Sequence, residues 1–400
     1  MLYLDNAATS FPKAPGVGEA MEHHLARDAA NPGRAGHRMA VAAERMLDDC
    51  RLKLTRFFDG EDPARMVFAL NCTDALNMGL KGVLEDRRDR PHVITTVLEH
   101  NSVSRPLVSM KTSGRIELSQ VDCDGGGAVD PADIRAAIRP STCLIVMTHA
   151  SNVLGTVQAA AEVGAIAREH DLLFLLDAAQ TAGVIPISIR RMQVDLLAFP
   201  GHKSLLGPPG TGGLYVGPRC PGPVQATEGS QNPGAPCFTP WREGGTGGDS
   251  ASPTQPAQLP HFLEGGTPNT VGIAGLGAAV DFLNQQAEQG LLEHERALCE
   301  RILGRLGSDR RFHTYGSGDA ASAVGTVSVN VQGYDAADVG AILDESFQIA
   351  VRPGLHCAPY MHRRLGTFPG GTVRISPGPF NTEQDVDKLL DALEEIAETG

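Results

Sequence analysis

Two side chains of opposite character mark the middle of the sequence. Asp177 closes the apolar run Leu175-Leu176 and opens Asp177-Ala178-Ala179-Gln180. A carboxylate at the end of a buried strand is costly unless a cation or donor meets it. Strand C-termini are also where open α/β sheets bind ligands. Lys203 follows in Gly201-His202-Lys203, ahead of Gly207, Gly210, Gly212 and Gly213. Taken singly, Asp177 is equally well a helix cap, and Lys203 a solvated lysine. Together they are what pyridoxal 5′-phosphate requires. The amine binds the cofactor aldehyde, and the carboxylate keeps the pyridine nitrogen protonated so that the ring withdraws electrons.

A phosphate site is expected upstream. Met66-Val67-Phe68-Ala69-Leu70 is a strand pattern running into Asn71-Cys72-Thr73-Asp74 and a helix. A helix N-terminus offers free N–H groups and a positive dipole end, and the Thr73 hydroxyl adds a donor. The same Thr73 is equally well an ordinary N-cap. Near the other end, Cys357 sits in Arg352-Pro353-Gly354-Leu355-His356-Cys357. Cationic neighbours favour a thiolate, the reactive form of cysteine. The other reading is an inert loop cysteine.

The elements that must position these groups alternate along the chain. Short apolar runs at 93–97, 144–147, 172–176, 196–199 and 213–216 read as strands, and 159–170 has helical spacing. Strands apolar on both faces and alternating with helices predict a mostly parallel sheet covered on both sides. The stretch 218–260 is rich in Gly, Pro, Ser and Gln and reads as a functional or mobile loop. Beyond it the pattern predicts helices at 271–286, 291–305, 336–346 and 382–397, with strands at 326–331, 348–352 and 372–376. The expected division is a large cofactor-binding domain, 15–265, and a smaller α+β C-terminal domain, 266–400, with residues 1–14 packing on it.

Composition sets outer limits. A net charge of −13 opposes general nucleic-acid binding. No apolar run is long enough for a spanning helix. Met1-Leu2-Tyr3-Leu4-Asp5 lacks the basic start and apolar core of a signal peptide. The eight cysteines are scattered without a Cys-x-x-Cys pair, so neither a disulfide framework nor a metal site is expected. A reducing cytoplasm is the expected location.

These residues stand in an ordered set of motifs: Tyr3 to Thr9, Glu99-His100-Asn101-Ser102, Ser151-Asn152-Val153-Leu154-Gly155, Asp177 to Gln180, Gly201 to Lys203, Glu264 to Asn269, Arg352 to Ala358 and Val373-Arg374-Ile375-Ser376. In these the chain resembles the class V aminotransferase group of fold-type I pyridoxal phosphate enzymes, in its cysteine desulfurase and selenocysteine lyase branch. The resemblance implies that Lys203 binds the cofactor, Asp177 faces the pyridine nitrogen and Gln180 bonds the ring oxygen. His100 would stack on the ring and move protons. Thr73 and His202 would hold the phosphate, Cys72 would also bind the cofactor, and Thr267 would reach the phosphate of a partner subunit in a homodimer. Asn152 and Arg374 would grip the substrate carboxylate, which suits the bidentate fork of arginine. Cys357 would take sulfur from L-cysteine as a persulfide, leaving alanine, and pass it to an acceptor protein. The alternatives are a selenocysteine lyase, a β-eliminating class V lyase and, outside catalysis, a sulfur-relay scaffold. Two departures stand out. Pro200 replaces a serine often found three residues before the lysine, and 219–240, with Cys220 and Cys237, looks like an insertion.

Overall fold

The computed structural model describes residues 1–33, 36–220, 238–246, 251–286 and 290–399. A two-residue strand, β1 (Leu2–Tyr3), precedes helices α1 (Val17–Arg27) and α2 (Arg38–Phe57). Then come β2 (Met66–Ala69), α3 (Cys72–Leu84), β3 (His92–Thr96), α4 (Asn101–Thr112), β4 (Glu117–Val121), α5 (Pro131–Ala136) and β5 (Thr142–Thr148). The run continues with α6 (Ala160–Glu169), β6 (Leu173–Asp177), β7 (Leu196–Pro200) and β8 (Gly212–Val216). Strands β2 to β8 form one seven-stranded sheet, ordered β2-β8-β7-β6-β5-β3-β4. Only β8 runs against the others, so it pairs antiparallel with both β2 and β7.

The apolar runs are explained by their two faces. Ile145, Met147, Phe174, Leu176, Leu197 and Phe199 enter one core, while Leu144, Val146, Leu175, Leu196 and Ala198 enter another on the opposite face. Alternation of period two between two dry layers leaves no polar position in the strand. Because β2, β3, β5, β6 and β7 share one direction, the segments that follow them gather along a single edge. That edge receives Asn71, His100, Asn152, Asp177 and Lys203.

The C-terminal elements are α7 (Thr270–Gln286), α8 (Leu291–Leu306), β9 (Phe312–Tyr315), β10 (Val327–Val331), α9 (Ala336–Phe347), β11 (Ile349–Ala350), β12 (Arg352–Gly354), α10 (Pro359–Arg364), β13 (Thr372–Ile375) and α11 (Glu383–Thr399). Strands β12-β13-β10-β9 form an antiparallel sheet whose core is closed by α8, α9 and α11. The expected boundary at 265/266 does not follow this packing. Helix α7 lies on α1 and α2, and its Ile273, Leu276 and Val280 belong to the core of the large sheet. The packing changes only after α7. Residues 1–14 also divide: β1 pairs in parallel with β11, while the N–H groups of Ser10 and Ala14 bond the carbonyls of His202 and Leu206.

Within the expected 218–260 loop, residues 221–237 and 247–250 lie outside the described residues, and with them Cys237 and most of the expected insertion. The described flanks are held in place. Phe238 is buried against Gly82, where any Cβ would strike its ring. The Thr239 N–H bonds the Gly82 carbonyl at 2.9 Å. Cys220 is buried, and burial pushes its thiol well above the ordinary range. Among the described residues no helix is long and apolar enough to cross a membrane.

Candidate active site

Asp177 is the last residue of β6 and is only 1% exposed. Its Oδ1 accepts from the Ala179 N–H at 2.9 Å and from the Cys72 thiol at 3.4 Å. Burial raises its pKa, opposed by the Ala179 N–H and by the charge of Lys203. Burial also lowers the Lys203 amine to about 8, with Arg374 adding to the effect. Both groups line one cavity of about 200 Å³, together with Cys72, Thr73, His100, Asn152, Gln180, His202, Arg352 and Arg374. The structure therefore brings together every expected site residue except Thr267 and Cys357.

The expected phosphate end is built by α3. Asn71, not Thr73, is the cap: its side chain accepts the Asp74 N–H at 2.9 Å, and its carbonyl accepts the Ala75 N–H. The N–H groups of Cys72 and Thr73 are thus left at the helix mouth. The Thr73 hydroxyl lies 2.7 Å from that of Ser102. Ser102 lines the same cavity and received no role from the sequence, although it lies inside a quoted motif. It adds a hydroxyl to a cup where Pro200 has no N–H to offer.

Sheet geometry also fixes the helix mouth. Strand β2 is an edge, and the Phe68 N–H on it donates to Glu264 Oε1 at 2.7 Å. Glu264 pairs with the buried Arg51 through both oxygens, at 2.7 and 3.0 Å. Glu264 of the Glu264-Gly265-Gly266-Thr267 motif is therefore a clamp on the strand that feeds α3.

His100 caps α4. Its Nδ1 accepts the Ser102 N–H at 3.0 Å, so the proton of the neutral ring sits on Nε2. Burial, helped by Lys203, lowers its pKa to about 4. The next residue, Asn101, donates its N–H to the Cys357 carbonyl at 2.8 Å. Cys357 is half-buried and lines a second, outer cavity of about 570 Å³, which shares Thr73, His100 and Ser102 with the inner one. The thiol and the lysine thus open on two cavities that meet at His100. The expected imidazole beside the thiol is turned away: His356 Nε2 donates to the Arg352 carbonyl at 2.9 Å, and Nδ1 meets His362 Nε2 at 3.2 Å. The cation that does face Cys357 is Arg352, whose Nη2 lies 3.9 Å from Sγ.

Arg374 is 1% exposed. Its Nη2 donates to Asp5 at 2.7 Å and its Nη1 to the Asn152 carbonyl at 3.1 Å. One further N–H remains on each Nη, and Nε is buried without a partner. The Asn152 amide uses one N–H on the His356 carbonyl, at 2.6 Å. Arg352 also lines the inner cavity and forms no ion pair among the described residues. His202 is fixed by the N-terminal segment. Its Nδ1 lies 3.1 Å from Thr9 Oγ1, and Lys13 Nζ donates to its carbonyl at 2.9 Å. Burial, with Lys203 close by, takes His202 down to about 4. Gln180 Nε2 donates to the Ala7 carbonyl at 3.2 Å. Thr267 is exposed and lines neither cavity of the single chain.

The family model for class V aminotransferases matches residues 2–389. A protein of Methanothermobacter thermautotrophicus named "Probable cysteine desulfurase" is 35% identical, across 100% of this chain and 95% of that protein. Among solved structures, a cysteine desulfurase from Thermococcus onnurineus superposes with a TM-score of 0.90 at 30% identity, covering 100% of this chain and 95% of that one. The Escherichia coli cysteine desulfurase CsdA superposes at 0.85 with 25% identity, over 100% and 95%. The likeness extends along the whole chain, which belongs to the class V aminotransferase family.

Proposed function

We propose that the protein is a pyridoxal phosphate-dependent cysteine desulfurase, moving sulfur from L-cysteine onto Cys357 and releasing L-alanine. What carries it is the meeting at His100 of the Asp177–Lys203 cavity with the cavity that holds the Cys357 thiol. The names of the relatives support the same activity.

The residues present fit the cofactor. Both hydrogen bonds to the Asp177 carboxylate fall on Oδ1, so Oδ2 is left for a pyridine N–H. Among the described residues Lys203 is the only lysine lining the cavity, and the Cys72 and Thr73 N–H groups with the Thr73 and Ser102 hydroxyls make an anion cup. When bound, pyridoxal phosphate supplies the electron sink that weakens the Cα–H bond of an amino acid.

The chain's own groups do the rest. Arg374 offers its two spare Nη–H bonds to the substrate carboxylate, with the second Asn152 N–H beside them. Lys203 Nζ, held near 8, is poised to take and return a proton close to neutral pH. His100 presents Nε2–H at the boundary with the outer cavity. The Cys357 sulfur attacks the substrate sulfur, forming the S–S bond of a persulfide as the substrate Cβ–S bond breaks. The electron pair stays with Cβ, which takes a proton to become the alanine methyl group. Arg352 faces the sulfur that undergoes this change.

The direct test incubates the protein, reconstituted with pyridoxal phosphate, with L-cysteine and dithiothreitol. Alanine and sulfide in equal amounts are expected. Pyruvate and ammonia would instead identify a β-eliminating lyase, and turnover of selenocysteine alone a selenocysteine lyase.

The homodimer belongs to the same proposal. Thr267, exposed in one chain, would complete the phosphate cup of the partner subunit. Thr267→Ala should weaken cofactor binding about 10- to 100-fold, the range for one lost hydrogen bond to a charged group. Mixing Lys203→Ala subunits with Thr267→Ala subunits should restore one intact site per heterodimer, roughly a quarter of wild-type activity if exchange is random. A fully active monomer in sedimentation would refute the shared site.

A further inference from the structure

The turn that presents Cys357 is strained. His356 and Cys357 occupy the left-handed region in succession, with φ of 48° and 58°. Side chains with a Cβ rarely adopt this region, and such residues persist only where the surroundings over-determine them. Four contacts hold the turn: the Asn101 N–H on the Cys357 carbonyl, Asn152 on the His356 carbonyl, and one at each nitrogen of the His356 ring.

The ring contacts form a directional chain. A carbonyl only accepts, so the 2.9 Å contact to Arg352 O places a proton on His356 Nε2. In the neutral ring Nδ1 must then accept, and His362 Nε2 must be the donor across 3.2 Å. That leaves His362 Nδ1 as an acceptor, which the Thr367 hydroxyl meets at 2.8 Å. His362 is 0% exposed, and its carbonyl takes the N–H groups of Thr367 and Phe368. Burial lowers His356 to about 3 and His362 to about 4, so neither ring gains a second proton near neutral pH. Neither ring is hydrogen-bonded to the Cys357 sulfur.

We propose that His362 is a positioning residue for sulfur transfer: through its single-tautomer contact with His356 it holds the two left-handed residues that set Cys357 in the wall of the outer cavity. This role rests on Cys357 being the sulfur-accepting thiol. It predicts a loss confined to the thiol-dependent step.

The test compares His362→Phe, which removes both nitrogens, with His362→Gln, whose terminal amide keeps an N–H for His356. Each holoenzyme is assayed on L-cysteine and on L-selenocysteine, whose weaker carbon–selenium bond lets selenium leave without a protein thiol. Iodoacetamide labelling of the peptide containing Cys357 is timed in parallel. His362→Phe should lower kcat on cysteine about 10- to 100-fold, the scale of a displaced reacting group, with KM and selenocysteine turnover within about twofold. Its Cys357 labelling rate should change at least about threefold, and His362→Gln should recover most of the kcat. An unchanged kcat on cysteine, or equal losses on both substrates, overturns the proposal. Should His362→Phe fail to fold, Thr367→Val takes its place, removing only the hydroxyl that orients His362. It must then show the same selective loss on cysteine in smaller measure, and wild-type kinetics would overturn the proposal. Cys357→Ser, run alongside, separates the two levels. If it keeps cysteine turnover, the thiol assignment itself fails; if it loses turnover while the His362 variants do not, only the positioning role fails.

Discussion

Lys203→Ala is expected to leave a folded protein that no longer holds pyridoxal phosphate covalently and has no measurable desulfurase activity. The side chain is half-buried in the cavity it shares with Asp177, and its amine is lowered to about 8 by burial and by Arg374. Losing it removes both the covalent attachment and the nearest proton-transfer group, and the second loss alone is worth about 10²–10⁴ in rate. Lys13 is the one neighbour that could compete, since burial also brings it to about 8. Its ammonium, however, is committed to the His202 carbonyl and to the hydroxyls of Thr9 and Ser10, and it does not line the cavity. The measurement is borohydride reduction, followed by mass analysis of the peptides. In the wild type the cofactor mass should appear on the peptide carrying Lys203; in Lys203→Ala it should appear on none. Label found on Lys13 would overturn the assignment.

Cys357→Ser should separate cofactor chemistry from sulfur chemistry. Lys203, Asp177, Asn152 and Arg374 are untouched by it, so cofactor binding and the spectral response to added cysteine should persist. Persulfide formation should stop, and alanine release from cysteine should fall at least about 100-fold, because a hydroxyl is a far weaker nucleophile than a thiolate near neutral pH. Selenocysteine should survive better, for the reason given above. The pair of alanine-release rates is the measurement, with labelled sulfur traced on the wild-type peptide spanning His356 to Ala358. Alanine release from cysteine at the wild-type rate, with no sulfur on that peptide, would make Cys357 a bystander.

Burial explains which parts of this molecule could be read in advance. Strands β5, β6 and β7 stood out as apolar runs because both of their faces are dry. Strand β4, Glu117-Leu118-Ser119-Gln120-Val121, lies at the sheet edge and is half-exposed, so its pattern is too polar to announce a strand. β9, Phe312-His313-Thr314-Tyr315, is the edge strand of the small sheet and was hidden in the same way. Helix α4 carries Pro106 internally, which breaks its pattern. Asp177 and Lys203 were legible because ionisable groups in apolar surroundings demand a reason. Ser102, Glu264 and His362 were not. Their roles come from partners far along the chain, or from ring tautomers, and nothing in residue type reveals those. The same holds for His356, which stands next to Cys357 in sequence yet directs both nitrogens elsewhere.

The pairing of β1 with β11 has a consequence for synthesis. Leu2 and Tyr3 leave the ribosome about 350 residues before Ile349 and Ala350, a delay on the order of 20–70 s at ~5–20 residues per second. Until then Asp5 cannot meet Arg374, and the segment that ties down the His202 carbonyl has only one of its two anchors. A nascent chain can assemble the large sheet once β8 is made, but Arg374, the arginine proposed to meet the substrate carboxylate, arrives near the end. Competence to turn over substrate is therefore a late event in the life of each molecule, timed by the return of its C-terminal sheet to residues made at the start.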